Sequence, residues 1–264
     1  MRTHRILSAA LFVLALLVGL LPIAATASVA LPAPPTVISP AQNALVPSTF
    51  TMTGRLESGV TEIRVTGATS VTSTIAADSA GATYTAEVTV PYGKRSIGVE
   101  AGNGAGWSTV TSVTVYNLGA TPSFGRYVLV DKSDFRLYVV RSGQVTAAYP
   151  IAIGMHTRYT ETPVGTFYLN RPGKAPNSAW GPFRMNLAKR IRTRVYYTVH
   201  VRGHHVRRSK IVVRMRATYY YIHGTNDRNS IGFPASHGCI RMYNEDLRAL
   251  SPRTARWEPT VIRN

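Results

Sequence analysis

The chain of 264 residues is short of cysteine and of acidic side chains. Cys239 is its single cysteine, so a small domain stapled by internal disulfides is excluded. Only 12 Asp and Glu accompany 30 Lys and Arg, which gives a formal net charge of +18. After residue 27 there is no apolar run long enough to span a bilayer. What remains is a strongly basic chain with one thiol.

The N-terminus has the pattern of a secretory signal peptide. Arg2 and Arg5 precede an apolar run over 6–21, and Ala25-Thr26-Ala27 offers a cleavage site of small residues. We therefore predict that 1–27 is removed and that the protein is secreted to the cell envelope. The alternative is an uncleaved membrane anchor, since about 20 apolar residues can cross a bilayer.

Frequent Thr, Val, Tyr and Gly, with turn residues every ten or so positions, predict an all-β fold class. At about 100–200 residues per domain, the length favours two domains. Residues 28–35 are a Pro-rich linker, and 36–117 contains six or seven short alternating runs that predict a β-sandwich. A second linker at 118–125 leads to a β-sandwich domain at 126–264, in which neighbouring hairpins predict the edge of a sheet.

The predicted first sandwich resembles bacterial immunoglobulin-like modules. The resemblance rests on the opening stretch from Pro35 to Pro40 and on the Gly102-Asn103-Gly104-Ala105-Gly106 turn. The module has no histidine and no cysteine, so we expect it to act as a spacer or docking surface.

The segment 189–216 is basic throughout and contains no acidic residue. Alternation over 195–201, a turn at Gly203 and a second run over 210–214 predict a β-hairpin. A solvated insertion is one interpretation, and a lid that binds carboxylates or the phosphates of anionic wall polymers is another. Aromatic residues among the charges would also suit single-stranded nucleic acid, but export argues against that partner.

The single thiol belongs to the stretch Ser236-His237-Gly238-Cys239-Ile240-Arg241-Met242. A lone cysteine in an exported protein is either a reactive group or a buried, inert one. If the stretch is a strand, His237 and Arg241 share the face of Cys239, and positive groups beside sulfur favour the thiolate. Gly238 lacks a Cβ, so a substrate can approach its backbone closely. We therefore predict a reactive Cys239.

Cysteine catalysis also needs a proton shuttle and donors for a developing oxyanion. His223 ends a Tyr-rich strand 16 residues before Cys239. A histidine on a neighbouring strand can meet the sulfur across the sheet, whereas the adjacent His237 points in parallel with it. We predict His223 as general base and acid, with His237 in support. Zinc bound by His223, His237 and Cys239 is a rival interpretation.

Together these residues resemble the YkuD-type L,D-transpeptidase family. The shared motifs are His223-Gly224-Thr225-Asn226, the Ser236 to Met242 stretch and the upstream Thr162-Pro163-Val164-Gly165-Thr166-Phe167 run, and the resemblance spans about 125–264. It implies a peptidoglycan enzyme without metal or cofactor. Cys239 would attack the carbonyl at the L-centre of the third stem residue and release D-Ala. An amine of another stem would then take the acyl group, giving a 3→3 cross-link, or water would take it, giving carboxypeptidase activity.

The same resemblance implies roles for the surrounding residues. Ser236, His237, Gly238 and Gly224 would orient the reactive groups and stabilise the oxyanion. Arg241, Tyr221 and Asn226 would contact the substrate. Arg241 suits a stem carboxylate, while an ion pair with Glu245 or Asp246 is equally open. Similar enzymes are acylated by carbapenems. A hydrolase that only cuts and a non-catalytic wall-binding protein are the remaining alternatives.

Overall fold

The computed structural model describes residues 30–78 and 81–264. The predicted signal peptide at 1–27 lies outside the described residues. Among those described, no helix is long and apolar enough to cross a membrane. Leu31–Asn264 forms one compact unit. Nearly all of its regular structure is β, which confirms the predicted fold class.

The first nine strands build a two-layer sandwich. β1 to β9 are Thr36–Ser39, Ala44–Leu45, Thr49–Leu56, Glu62–Thr66, Ser70–Asp78, Gly81–Thr89, Gly93–Asn103, Gly106–Trp107 and Thr111–Asn117. One layer has the order β1-β3-β6-β5, and the other the order β2-β9-β7-β4 with β8 beside β7. Buried and exposed residues alternate strictly along β6, as expected for a strand with one face against a core. The core of the sandwich includes Met52, Tyr84, Val99 and Val115 from four different strands. Its immunoglobulin-like character stays a prediction.

The remaining elements follow from residue 126 onward. Strands β10 to β19 are Arg126–Asp131, Arg136–Arg141, Gln144–Gly154, Gly165–Lys174, Phe183–Val201, His204–Arg216, Tyr221–Gly224, Pro234–Ser236, Ile240–Met242 and Glu258–Arg263. The helix α1 is Asn244–Leu250, and single 3-10 turns occur at Ser178–Trp180, Arg228–Ser230 and Ser251–Arg253.

Eight of these strands close into a ring. Their order is β11-β10-β19-β13-β14-β16-β18-β12, and β12 pairs back onto β11. The prediction that the hairpins of this region form the edge of a sheet is therefore wrong, because closure of the ring leaves β11 and β12 paired on both sides. The ring surrounds a core that includes Val128, Ile151, Leu169, Met185 and Ile240.

The predicted second linker begins with a buried residue. Leu118 is inaccessible to solvent and packs in a small cluster with Tyr116, Tyr127 and Tyr138. Nearby, β2 pairs with β9 and with the start of β12. The sandwich and the ring thus share a sheet and a small core, while the predicted domain boundaries stay predictions.

Asp131, the last residue of β10, is a fully buried carboxylate. Arg263 donates to it from Nε at 2.9 Å and Ser133 from Oγ at 2.6 Å, and the Tyr92 hydroxyl donates as well. Burial opposes ionisation, but the hydrogen bonds from Ser133, Tyr92 and Arg263 keep the pKa of Asp131 below its ordinary value. A buried charge therefore links the sandwich, through Tyr92, to the C-terminal strand β19.

Asp131→Asn should lower the free energy of unfolding by roughly 3 kcal/mol, because Arg263 loses its buried counter-charge. The measurement is urea unfolding at pH 7. Glu87→Gln, on the exposed face of β6, is the control and should stay within about 0.5 kcal/mol of the unsubstituted protein. Equal losses in the two variants would contradict this role for Asp131.

Candidate active site

A cleft of about 370 Å³ opens beside the neighbouring strands β16 and β18. Six of the nine predicted site residues line it, and its full lining is Ala179, Trp180, His223, Thr225, Asn226, Asp227, Ser236, His237, Cys239 and Arg241. Of the other three predicted residues, Gly224 and Gly238 are chain neighbours of lining residues, and Tyr221 contacts the lining residue Trp180. The structure thus brings His223 and Cys239 to one site.

Parallel pairing of β16 and β18 explains the spacing between these two residues. The register places Ile222 opposite Ile240 and His223 opposite Arg241. Cys239 stands directly before β18, so the two reactive side chains come from adjacent parallel segments. Such a connection needs a dozen or more residues, and the 16-residue separation supplies it.

Cys239 follows a tight turn and is not part of a strand. β17 ends at Ser236, and Gly238 has a φ of 109°, a value that residues with side chains rarely adopt. A Cβ at Gly238 would lie 2.9 Å from the Tyr220 ring. The expectation that His237, Cys239 and Arg241 share one strand face is therefore wrong. Glycine is required at 238 by the turn and by the packing of Tyr220.

Two buried hydroxyl groups hold this turn. Ser236 Oγ accepts from the Gly238 N–H at 3.1 Å and donates to the Cys239 carbonyl at 2.6 Å. Thr162 Oγ1 accepts from the Gly154 N–H at 2.7 Å and donates to the Gly238 carbonyl at 3.1 Å. Because C=O and N–H point in opposite directions across a trans peptide, the Thr162 bond also fixes the direction of the Cys239 N–H.

Sequence reasoning gave Thr162 no role at the site. It is fully buried, and its only signal was its place in the upstream family-like run. The loop that carries it is held by Lys132, whose Nζ donates to the Thr162 carbonyl at 3.1 Å and to Glu161 at 2.7 Å.

His223 is buried, and its surroundings favour the neutral ring. Nδ1 lies 2.6 Å from the Gly224 carbonyl, which can only accept, so Nδ1 carries the hydrogen and Nε2 is left as an acceptor. Trp180 stacks on the ring at 4.2 Å between centroids. Burial lowers the pKa of His223 to about 4, with Arg241 and Arg184 acting in the same direction and the Gly224 bond opposing them. At neutral pH the imidazole is an uncharged base.

Cys239 is partly buried, and burial raises the pKa of its thiol. The backbone N–H of Tyr221 and the guanidinium groups of Arg241 and Arg184 act in the opposite direction without overcoming it. We expected nearby positive charge to favour a resting thiolate, but desolvation of the sulfur outweighs that effect and favours the thiol. Sγ donates weakly to the Tyr219 carbonyl at 3.9 Å. A neutral thiol shares the cleft with a neutral imidazole.

An aromatic cluster that sequence reasoning missed begins at Trp180, which lines the cleft. Trp180 contacts His223 and also Tyr221, with ring centroids 5.8 Å apart in the second pair. The Arg184 guanidinium lies 4.6 Å from the centroid of the Tyr221 ring. Tyr221, predicted to contact substrate, is therefore engaged in this cluster. The one sequence signal was a tryptophan directly before a Gly-Pro turn.

Gly224 is confined by packing against α1. A Cβ at this position would collide with Oδ1 of Asn244 and approach Gly181. Only glycine therefore fits here, where the carbonyl orients the His223 ring. The contribution of Gly224 is orientation of the base.

The other predicted residues present polar groups to the cleft. His237 and Asn226 are exposed, and in the described part of the chain Arg241 forms no ion pair. Glu245, one of its two candidate partners, instead binds Arg228 at 2.7 Å.

Over 30–78 and 81–264, no three His, Cys, Asp or Glu side chains are grouped so that they could hold a metal ion. The basic segment 189–216 contributes nothing to the lining, which does not support its interpretation as a lid.

Comparison with known proteins identifies a family for the part of the chain that contains this site. The family model of the YkuD L,D-transpeptidase catalytic domain matches residues 125–262. YkuD of Bacillus subtilis strain 168 is 27% identical over 147 residues, which are 56% of this chain and 71% of that protein. YkuD of Bacillus licheniformis is 26% identical over 149 residues, which are 56% of this chain and 72% of that protein.

Solved structures give lower similarity. An L,D-transpeptidase from Mycobacterium smegmatis is 17% identical, with a TM-score of 0.34. The match covers 88% of this chain and 100% of the mycobacterial chain. L,D-transpeptidase 1 of Mycobacterium tuberculosis is 16% identical, with a TM-score of 0.31. The match covers 85% of this chain and 99% of that transpeptidase chain.

Thr162→Val keeps the shape of the side chain but leaves the Gly154 N–H and the Gly238 carbonyl without their buried partner. We expect a loss of about 2 kcal/mol in the free energy of unfolding. Thr162→Ser keeps the hydroxyl and should lose only about 1 kcal/mol for the missing methyl group. Urea unfolding measures both variants. A serine variant no more stable than the valine variant would contradict the hydrogen-bonding role.

Protein stability should fall as pH drops from 7.5 to 5. The pKa of His223 is about 4 in the folded state, below the ordinary value near 6.5. The unfolded chain therefore takes up the proton first, and this histidine alone should cost roughly 2 kcal/mol over that interval. Urea unfolding at the two pH values tests this, with the exposed His237→Gln as the control. If His223→Gln leaves the pH dependence unchanged, the effect belongs to other groups.

Proposed function

The chain belongs to the YkuD family of L,D-transpeptidase catalytic domains, and from that premise we propose that it cross-links peptidoglycan stems by cysteine acyl transfer. The observation that carries the proposal is the single cleft lined by both Cys239 and His223. Peptidoglycan stem peptides are the substrates. We also propose the cell envelope as its location, with residues 1–27 as the export signal and membrane attachment only if that signal is retained.

The first chemical step is acylation of Cys239. Nε2 of His223 accepts the thiol proton as Sγ attacks the carbonyl at the L-centre of the third stem residue. A neutral thiol and a neutral imidazole suit this order, since proton transfer then accompanies attack. The leaving D-Ala amine receives the same proton from His223, and a thioester remains.

Oxyanion stabilisation falls to the turn before β18. The Gly238 N–H is already bound by Ser236, whereas the Cys239 N–H is oriented through the Thr162–Gly238 bond. We assign the Cys239 N–H as an oxyanion donor, because a preorganised backbone donor costs no reorganisation when charge develops. Ser236 and Thr162 then act as positioning residues, and Gly224 orients His223.

Positive charge at the cleft suits a carboxylate-bearing stem. Arg241 lines the cleft and Arg184 lies beside it on β14, opposite His223 in the register. A guanidinium group binds a carboxylate through two parallel hydrogen bonds. Arg241 is the proposed stem-carboxylate contact, and the second stem delivers its amine to the thioester, giving the 3→3 link.

The test uses purified protein with disaccharide tetrapeptide as substrate and mass spectrometry of the products. We expect a cross-linked dimer together with free D-Ala. Cys239→Ala should form neither product, and His223→Gln should be slower by about 10²–10⁴-fold because the proton shuttle is lost. Asn226→Ala, at the exposed rim, is a milder comparison that should retain turnover.

Intact-protein mass spectrometry with a carbapenem supplies an independent readout. The unsubstituted protein should gain one covalent adduct and Cys239→Ala none. D-Ala release without dimer would make the enzyme a carboxypeptidase. No adduct and no product would overturn the proposal in favour of a non-catalytic wall-binding protein.

A further inference from the structure

The basic hairpin formed by β14 and β15 stands apart from the cleft. The strands pair without interruption from Lys189 opposite Arg216 to Val201 opposite His204, which confirms the predicted hairpin. Thirteen such pairs extend roughly 40 Å at about 3.3 Å per residue. The two-residue turn has φ values of 48° at Arg202 and 82° at Gly203, as tight hairpins require. Most of its side chains are exposed.

Positive charge covers both faces of this hairpin. From the register, one face carries Arg190, Arg192, Arg194 and Arg207, and the other carries Arg208, Lys210, Arg214 and Arg216. All eight side chains are exposed, and none forms an ion pair within the described residues. Like charges held this close repel one another, and a bound polyanion would relieve that repulsion.

Lys189, at the root of the hairpin, has a different role. Its Nζ lies 3.7 Å from the centroid of the Phe167 ring and donates to the Thr166 carbonyl at 3.3 Å. It anchors the hairpin to the ring of strands, which leaves the exposed cations beyond it available.

Polar side chains surround a depression in the half of the hairpin nearer its tip. Tyr196, Arg207, Arg208 and Ser209 line a depression of about 360 Å³. Seven of the eight face cations are arginines, whose planar fork matches phosphate oxygens through two hydrogen bonds. Cations at every second residue of β14 recur at roughly 6.6 Å, comparable to the phosphate spacing of an extended phosphodiester chain.

We propose that the hairpin binds a linear phosphodiester polymer of the cell wall. Its two exposed tyrosines each have a cation against the ring, Tyr196 from Arg207 at 4.6 Å and Tyr197 from Lys210 at 5.4 Å from the ring centroids. Two tyrosines, each with one ring face occupied, are few for stacking successive nucleic-acid bases. A membrane surface fits poorly too, because an interfacial element needs an apolar face opposite its charged one.

The choice of a wall polymer over other phosphate chains rests on the proposed function, whereas polyanion binding itself does not. Binding and catalysis are separable, because the hairpin does not line the cleft. Binding measurements can therefore fail while cross-linking is observed, and the reverse can also occur.

The experiment measures binding of the full chain to poly(glycerol phosphate) by fluorescence anisotropy at several salt concentrations. The triple variant R190Q/R192Q/R194Q should weaken binding at least tenfold at 0.1 M salt. It should also reduce the slope of log Kd against log salt by about 2, at about 0.7 per lost contact. R207Q/R208Q, in the depression, should weaken binding in the same direction.

The matched control is R55Q/R171Q/R248Q, which removes three exposed arginines outside the hairpin. It should retain affinity within about twofold. Circular dichroism confirms that each variant is folded. No binding by the unsubstituted protein, or an equal loss in the control, would overturn the proposal. Tighter binding to single-stranded DNA, or to vesicles of anionic phospholipid at equal phosphate, would also overturn it.

Discussion

The parallel pairing of β16 with β18 is the constraint on which the site depends. It places His223 opposite Arg241, with Cys239 just before the paired segment. Closure of the ring fixes both strands from either side, through β14 and β12. The site therefore stands on strands that cannot slide without breaking a register elsewhere. Catalytic groups held in this way need little reorganisation during reaction.

Burial, more than neighbouring charge, sets the resting state of the reactive pair. Desolvation favours the neutral form of each group. The two nearby arginines oppose it at the thiol without outweighing it, and they reinforce it at the imidazole. The Trp180 ring contributes to this by covering one face of His223. Hydrogen bonds to carbonyl groups then decide geometry, since the Gly224 carbonyl selects the tautomer of the base.

Local sequence pattern predicted much of the fold and of the site. Alternation identified strands such as β4 and β6, and the spacing from His223 to Cys239 identified the reactive pair. β5 has a weaker signal, because Ser70–Asp78 contains only Val71 and Ile75 as large apolar residues. Ring closure, the turn at Gly238, the Trp180 stack and the Thr162 bond were missed because each depends on contacts distant in sequence. Such contacts leave no local periodicity to read.

The long strand β14 joins two regions with different requirements. Its first residues pair beside His223, while its last residues belong to the exposed hairpin. Side chains alternate with a period of two, so pairs of residues can be added or removed at the Arg202-Gly203 tip without changing which side chains face inward near the cleft. The tip is thus a natural point for length variation. A dye could be attached there, or a whole domain inserted, without disturbing the cleft.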